Sequence, residues 1–170
     1  ADETAGSAGV TWGTVSSARW RASRAASHSV KMSSVAECVI LMGLPGSGKS
    51  TFYRERFAAT HDHVSKDAMR NTRHRDRRQS SLIDEALSAG RAVVVDNTNP
   101  SAAIRADIIS SARRHGAVVV GYFFPADTRD ALRRNRSRSG RERVPDVAIF
   151  TTRKRLEVAS RTEGLDRLFL

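Results

Sequence analysis

The sequence has one cysteine, Cys38, so no internal disulfide can brace the fold. That cysteine sits in an apolar run, where a buried and inert thiol is expected. No apolar stretch is long enough to span a membrane. No continuous apolar segment of the signal-peptide kind opens the chain, and no internal repeat is visible. The expectation is a cytoplasmic protein with no membrane partner. The chain begins at Ala1 rather than Met, as a trimmed chain or a piece of a longer protein would. Acids are scarce beside bases, 18 Asp and Glu against 29 Lys and Arg, a formal net charge of +11. Such a surface attracts polyanions. A general preference for Arg would also raise the total, but explains less well why the arginines cluster. The 170 residues suffice for one domain with a core.

Residues 1–35 are rich in Ala, Ser, Gly and Arg and read as a tail or linker. Its Arg19-Trp20-Arg21 reads as a Trp docking on its own domain, with nucleic-acid contact as the other option. From residue 36 short apolar runs alternate with helix-period segments. The patterning predicts strands at 37–42, 63–65, 91–95 and 117–124. It predicts helices at 48–58, 80–89, 100–115, 128–136 and 147–160. Such alternation implies an α/β fold, a parallel sheet of about four to five strands with helices on both faces. Ligands then gather at the carboxyl ends of the strands.

One such end is Gly43-Leu44-Pro45-Gly46-Ser47-Gly48-Lys49-Ser50, a complete P-loop pattern between a strand and a helix. The glycines let backbone N–H groups ring a phosphate. Lys49 brings a mobile positive charge, Ser50 a hydroxyl for Mg²⁺, and the helix N-terminus a partial positive charge. The nucleotide-binding set is therefore Gly43, Pro45, Gly46, Ser47, Gly48, Lys49, Ser50 and Thr51, with Ser50 as metal ligand. The fold expected is that of P-loop NTPases and kinases. The motif requires a nucleoside triphosphate and leaves kinase, ATPase and GTPase open.

Two carboxylates lie at two other strand ends. Asp67 follows the second strand in "HVSKDAMR", with Arg70 close behind; Asp96 ends the Val-rich strand in "VVVDNTNP", followed by Asn97 and Thr98. A P-loop kinase needs one carboxylate to take the acceptor's proton and another near the metal. Structural alternatives are a helix cap beginning at Ala68 for Asp67, and a turn-fixing side chain for Asp96. The segment "TRDALRRNRSRSGRER", residues 128–143, holds seven arginines and two acids. With Gly140 as hinge it reads as a lid whose arginines close over the phosphates; the bland alternative is a solvated basic face. A second basic group lies between Arg70 and Arg78, and an anionic acceptor fits between the two. His61-Asp62-His63 has no further His or Cys cluster to complete a metal site. Tyr122-Phe123-Phe124 reads as strand core.

Together "GLPGSGKST", "VSKDAMR", "VVVDNTNP" and "RRNRSRSGRERVP" resemble the polynucleotide 5′-hydroxyl kinases, the kinase domains of phage and animal end-healing enzymes. The likeness spans residues 38–169, including "EGLDRLF". It implies an ATP-dependent kinase with Mg²⁺ as cofactor and nucleic acid 5′-hydroxyl ends, DNA or RNA, as partner. It implies that Lys49 and Ser50 bind the ATP phosphates and Mg²⁺. Asp67 would be the general base, Arg70 a contact to the acceptor's 3′-side phosphate, and Asp96 a support for metal or acceptor. Asn97 and Thr98 join the acceptor side. Arg134 and Arg138 match the family's lid arginines, with Arg138 on the transferred phosphate. Ser65-Lys66 stands where members often have Asn-Arg, and Arg70 matches the animal members less well. The Asp-x-Asp-Gly phosphatase motif is absent from this chain, so 3′-repair is not expected of it. Two rivals stay open: a small-molecule kinase acting on a sugar, nucleoside or antibiotic, and a non-catalytic regulatory ATPase module.

Overall fold

Five parallel strands form one sheet in a computed structural model that describes residues 35–69, 73–125 and 127–170. Arg70, the Trp20 region and all of the expected tail except Val35 lie outside the described residues. Strand β1 (Glu37–Gly43) is central and buried from Cys38 onward. It pairs with β3 (Ala92–Asp96) on one side and β4 (Val118–Phe124) on the other. Strand β2 (His61–Val64) lies outside β3, and β5 (Arg167–Phe169) outside β4. The near-continuous Val, Ile and Leu of β1 and β3 are what a sheet covered on both faces requires. Helix α1 (Lys49–Arg56) covers one face, with Phe52 and Tyr53 over Val39, Leu41 and Val94. Helices α2 (Arg75–Ser88) and α3 (Ala102–Arg114) cover the other, packing Ile83, Leu87, Ile108 and Ala112 on Ile40, Val93 and Val95. Cys38 is fully buried here, and burial with the Glu37 charge pushes its thiol up to about 12, consistent with the inert reading.

Because β1 has β3 on one side and β4 on the other, the chain reverses its direction of winding at Gly43. That is where such sheets open a crevice. The register sets Leu41 beside Asp96, so the acid ends its strand next to the glycine loop. Helices α4 (Thr128–Arg136) and α5 (Asp146–Arg155) close over this edge, joined through Leu44, Ala131 and Ile149.

Several boundaries differ from the sequence expectation. Helix α2 starts at Arg75, so Arg75, Arg77 and Arg78 belong to its first turns instead of a loop. Strand β2 begins at His61 and ends at Val64. Helix α5 stops at Arg155 instead of reaching residue 160. There Leu156 turns extended, and the Glu157 amide donates to Pro100 O at 2.8 Å while its carboxylate caps Ala102 N at 2.7 Å. The fifth strand has only three residues and an exposed edge, too short to leave a period-2 signal.

The returning C-terminal segment is held by Arg105, a fully buried guanidinium. It forms a bidentate pair with Glu163 at 2.6 and 2.7 Å and donates to the carbonyls of Asn99 at 3.1 Å and Glu157 at 3.3 Å. With four of its five N–H groups on acceptors the buried charge is compensated; one whose partner is removed is not. Glu163→Ala is therefore expected to cost about 3–5 kcal/mol. Thermal denaturation should show the midpoint lowered by roughly 10 °C. A loss below about 1 kcal/mol, the range of exposed pairs, would mean the pair does not hold the fold.

Candidate active site

The glycine loop joins β1 to α1 in a shape that side chains would forbid. Gly46 has φ 81°, and a Cβ there would lie 2.7 Å from Ala131 O on α4. Gly48, at φ 99°, starts α1. The Gly43 amide donates to Thr98 O at 3.0 Å, tying this loop to the one after β3. Lys49 is buried, and its Nζ donates to Gly43 O at 3.0 Å, Leu44 O at 2.7 Å and Ser47 Oγ at 3.2 Å. Burial lowers its pKa to about 8; the Asp96 charge opposes this, Arg138 adds to it, and Asp67 opposes it. The sequence-derived base, acid and lid arginine thus all act on one ammonium. A backbone ring with a concentrated cation, opening on a helix N-terminus, fits a nucleotide's phosphates.

Asp96 is buried beside this loop. Burial alone would raise its carboxyl, but hydrogen bonds from His63 and Ser50, and the charges of His63 and Lys49, hold it below the usual range. Ser50 and Asp96 together offer two oxygens of the kind a divalent cation takes beside phosphate and water. His63 Nε2 stands 3.2 Å from Asp96 Oδ2, and the His63 ring stacks on Tyr53 at 4.0 Å and 13°. The sequence offered His63 only as a discounted metal ligand; its role as a partner of Asp96 depends on the strand register. His61 instead meets Glu37 at 3.2 Å, and among the described residues no three His, Cys, Asp or Glu side chains gather as a metal site.

Asp67 lies in a turn after β2, exposed, with its amide on Ser65 Oγ at 3.3 Å. No helix begins at Ala68, so the capping alternative does not apply. Asn97 braces this turn: its Oδ1 accepts from Lys66 N at 2.9 Å and its Nδ2 donates to Gln79 at 2.8 Å. Asp67, Asn97 and Thr98 line one side of a cleft of about 470 Å³. Helix α5 supplies the far wall with Thr151, Thr152 and Arg155, residues that sequence reasoning did not single out. Asn99, quoted in the motif but given no role, is 1 % exposed and spans the ends of β1 and β3, its Nδ2 donating to Leu41 O at 2.7 Å and Val95 O at 3.4 Å.

Among the described residues of the arginine-rich segment, Arg134 contacts the glycine loop, its Nη1 donating to Ser47 O at 3.5 Å. Arg138 lies near enough for its charge to act on Lys49, but its own Nη1 donates to Glu142 O at 3.4 Å within the segment. Arg133 and Arg136 are instead spent on Asp130 and Asp146. Buried Asn135 clasps the segment, donating to Val144 O at 2.7 Å and accepting from Val144 N at 3.0 Å. Gly140, at φ 57°, opens a short 3₁₀ turn in it.

The depressed pKa of Lys49 has a signed consequence. Between about 8 and the ordinary 10.5 the unfolded chain binds this proton and the folded chain does not, so this group's contribution to stability rises with pH across that window. A phosphate placed beside the ammonium favours its charged form. ATP binding near pH 8.5 should therefore take up a proton. Calorimetry in two buffers of different ionisation enthalpy measures this; heats independent of buffer would contradict it.

Solved structures share this fold at low identity. Chaetomium thermophilum Kti12, in complex with ADP-AlF3, superposes with TM-score 0.62 at 18% identity, covering 78% of this chain and 87% of that one. A fungal RNA kinase gives TM-score 0.62 at 12% identity, over 79% of this chain and 38% of that one. A sugar kinase from a Janibacter species gives TM-score 0.59 at 17% identity, over 79% and 84%. At these identities the likeness is one of fold, and that fold is the P-loop kinase one. Residues 38–159 match the family described as the AAA domain, and the chain belongs to that family.

Proposed function

We propose that residues 36–170 form a kinase domain that transfers the γ-phosphate of ATP to the 5′-hydroxyl end of a nucleic acid. The observation that carries this reading is that the turn after β2 bearing exposed Asp67, buried Asp96 at the end of β3 and the glycine loop with buried Lys49 follow three neighbouring parallel strands at the same edge of the sheet. The cleft lined by Asp67 opens beside that loop through the Thr98–Gly43 hydrogen bond. Gly43 to Thr51 would hold the nucleotide's phosphates, with Ser50 and Asp96 on the Mg²⁺ side. Bound there, the metal ion supplies charge neutralisation at the phosphates.

The chain's own residues do the rest. Asp67 accepts the proton of the acceptor hydroxyl as its oxygen bonds to the γ-phosphorus and the bond to the β-phosphate oxygen breaks. Lys49, Arg134 and Arg138 surround the transferred group with positive charge. Asn97 and Thr98 fix the acceptor side, since Asn97 rigidly positions the turn that carries the base.

A small-molecule kinase is the second reading. It is favoured by the cleft's size, which suits a single sugar or nucleotide. Labelled ATP, Mg²⁺ and 5′-hydroxyl oligonucleotides of both sugar types test the first. Asp67→Asn should lower transfer by about 10²–10⁴-fold while leaving ATP affinity near that of the parent. Transfer that survives in this variant would remove Asp67 as base. A polynucleotide acceptor also makes KM climb steeply between about 50 and 200 mM salt. A flat salt response, or label passing only to a neutral sugar, would favour the second reading. ATP hydrolysis that needs no acceptor and survives Asp67→Asn would point to a regulatory ATPase.

A further inference from the structure

The acceptor cleft has a wall that no motif marks. Helix α5 ends in Arg153, Lys154 and Arg155, and of these three only Arg155 lines the cleft. The lining contains two cations, Lys66 and Arg155, and one acid, Asp67. Lys66 is already engaged, its ammonium 2.5 Å from Asp76 on α2. Among the described residues Arg155 has no carboxylate partner within salt-bridge distance, and it is exposed. It therefore presents the cleft's uncommitted positive charge, on a different element from the proposed base. Between them, Pro100, Ile104 and Ala148 give an apolar patch, and Thr98 and Thr151 add hydroxyls.

An apolar surface for a ring, hydroxyls for a sugar and a planar guanidinium at the rim together describe a nucleoside carrying an anion. The guanidinium fork matches phosphate oxygens two at a time, which a lysine cannot do. We infer that Arg155 is a phosphate-binding residue of the acceptor cleft, selecting acceptors that carry a phosphate near the attacked hydroxyl over neutral ones. The inference rests on the kinase reading above and names the part of the acceptor that α5 reads. Asn135, which also donates to Asp146 Oδ1 at 3.2 Å, ties α5 to α4, so the acceptor wall and the lid are one unit.

Three acceptors separate the possibilities: a 5′-hydroxyl oligonucleotide, a nucleoside 3′-monophosphate and the same nucleoside without phosphate. Transfer is measured for the parent chain, Arg155→Ala, Arg155→Lys and the neighbouring Arg153→Ala. Arg155→Ala should raise KM for the two phosphate-bearing acceptors, lowering their preference over the neutral nucleoside tenfold or more. Arg155→Lys should recover part of that preference, and Arg153→Ala should keep it. Equal loss on all three acceptors, or an unchanged preference, overturns the inference while the kinase reading stands. If the parent chain labels no acceptor, the kinase reading fails instead, and direct binding decides on Arg155. Fluorescence anisotropy with the same oligonucleotide should then show weaker binding in Arg155→Ala and a salt slope reduced by about one. Identical affinity and slope would overturn the inference on that arm too.

Discussion

The side-chain amide of Asn99 holds the two halves of the site together. Its nitrogen bridges the carbonyls at the ends of β1 and β3, and its own backbone carbonyl is fixed by buried Arg105. The preceding carbonyl, Thr98 O, receives the Gly43 amide. The glycine loop and the loop after β3 are thus locked in one register, and under the kinase reading this would hold the reacting groups in place. The arrangement is strained. Asn99 sits at φ 40°, a left-handed backbone that Asn tolerates better than most residues. Its Oδ1 is buried with no hydrogen-bond partner among the described residues. The amide cannot turn over to relieve this, because that would set its oxygen against two carbonyls. Each of these features costs on the order of 1–3 kcal/mol, which the Arg105 and Glu163 network offsets from behind.

The parts legible in the sequence were those that depend on local chemistry. The loop of Gly43 to Ser50 shows itself because positive-φ glycines, a lysine and a helix start must occur in that order. The Val-rich strand ending at Asp96 shows itself because burial on both faces leaves no alternation. What escaped was set by long-range contact. His63 becomes a partner of Asp96 only when β2 aligns on β3. Arg155 and Thr151 line the cleft only once the chain brings α5 back beside Pro100 and Ala102, where Glu157 is hydrogen-bonded to both. Asn97, expected on the acceptor side, lines the cleft, and its contacts with Lys66 and Gln79, which shape the turn carrying Asp67, appear only in the fold. Strand β5 was invisible because three residues at an edge carry no period.

The arginine cluster is also less uniform than its sequence suggests. Some members are neutralised at the surface by acids one turn away or on α5, where exposed pairs contribute little. Arg134 reaches the glycine loop, and Arg138 has no carboxylate partner among the described residues. Asn135 and the Leu44, Ala131 and Ile149 contacts supply the adhesion that charge alone would oppose.

The lysine of the glycine loop rests on the carbonyl oxygens of its own turn, so it behaves as an internal placeholder for the loop's guest. Nucleotide capture is then an exchange of partners: the side chain must trade two backbone acceptors for phosphate oxygens. The cradle keeps its shape through that trade because a cation always supports it from inside. Selectivity follows as well, since an anion too weak to outcompete two carbonyls would leave the lysine where it is.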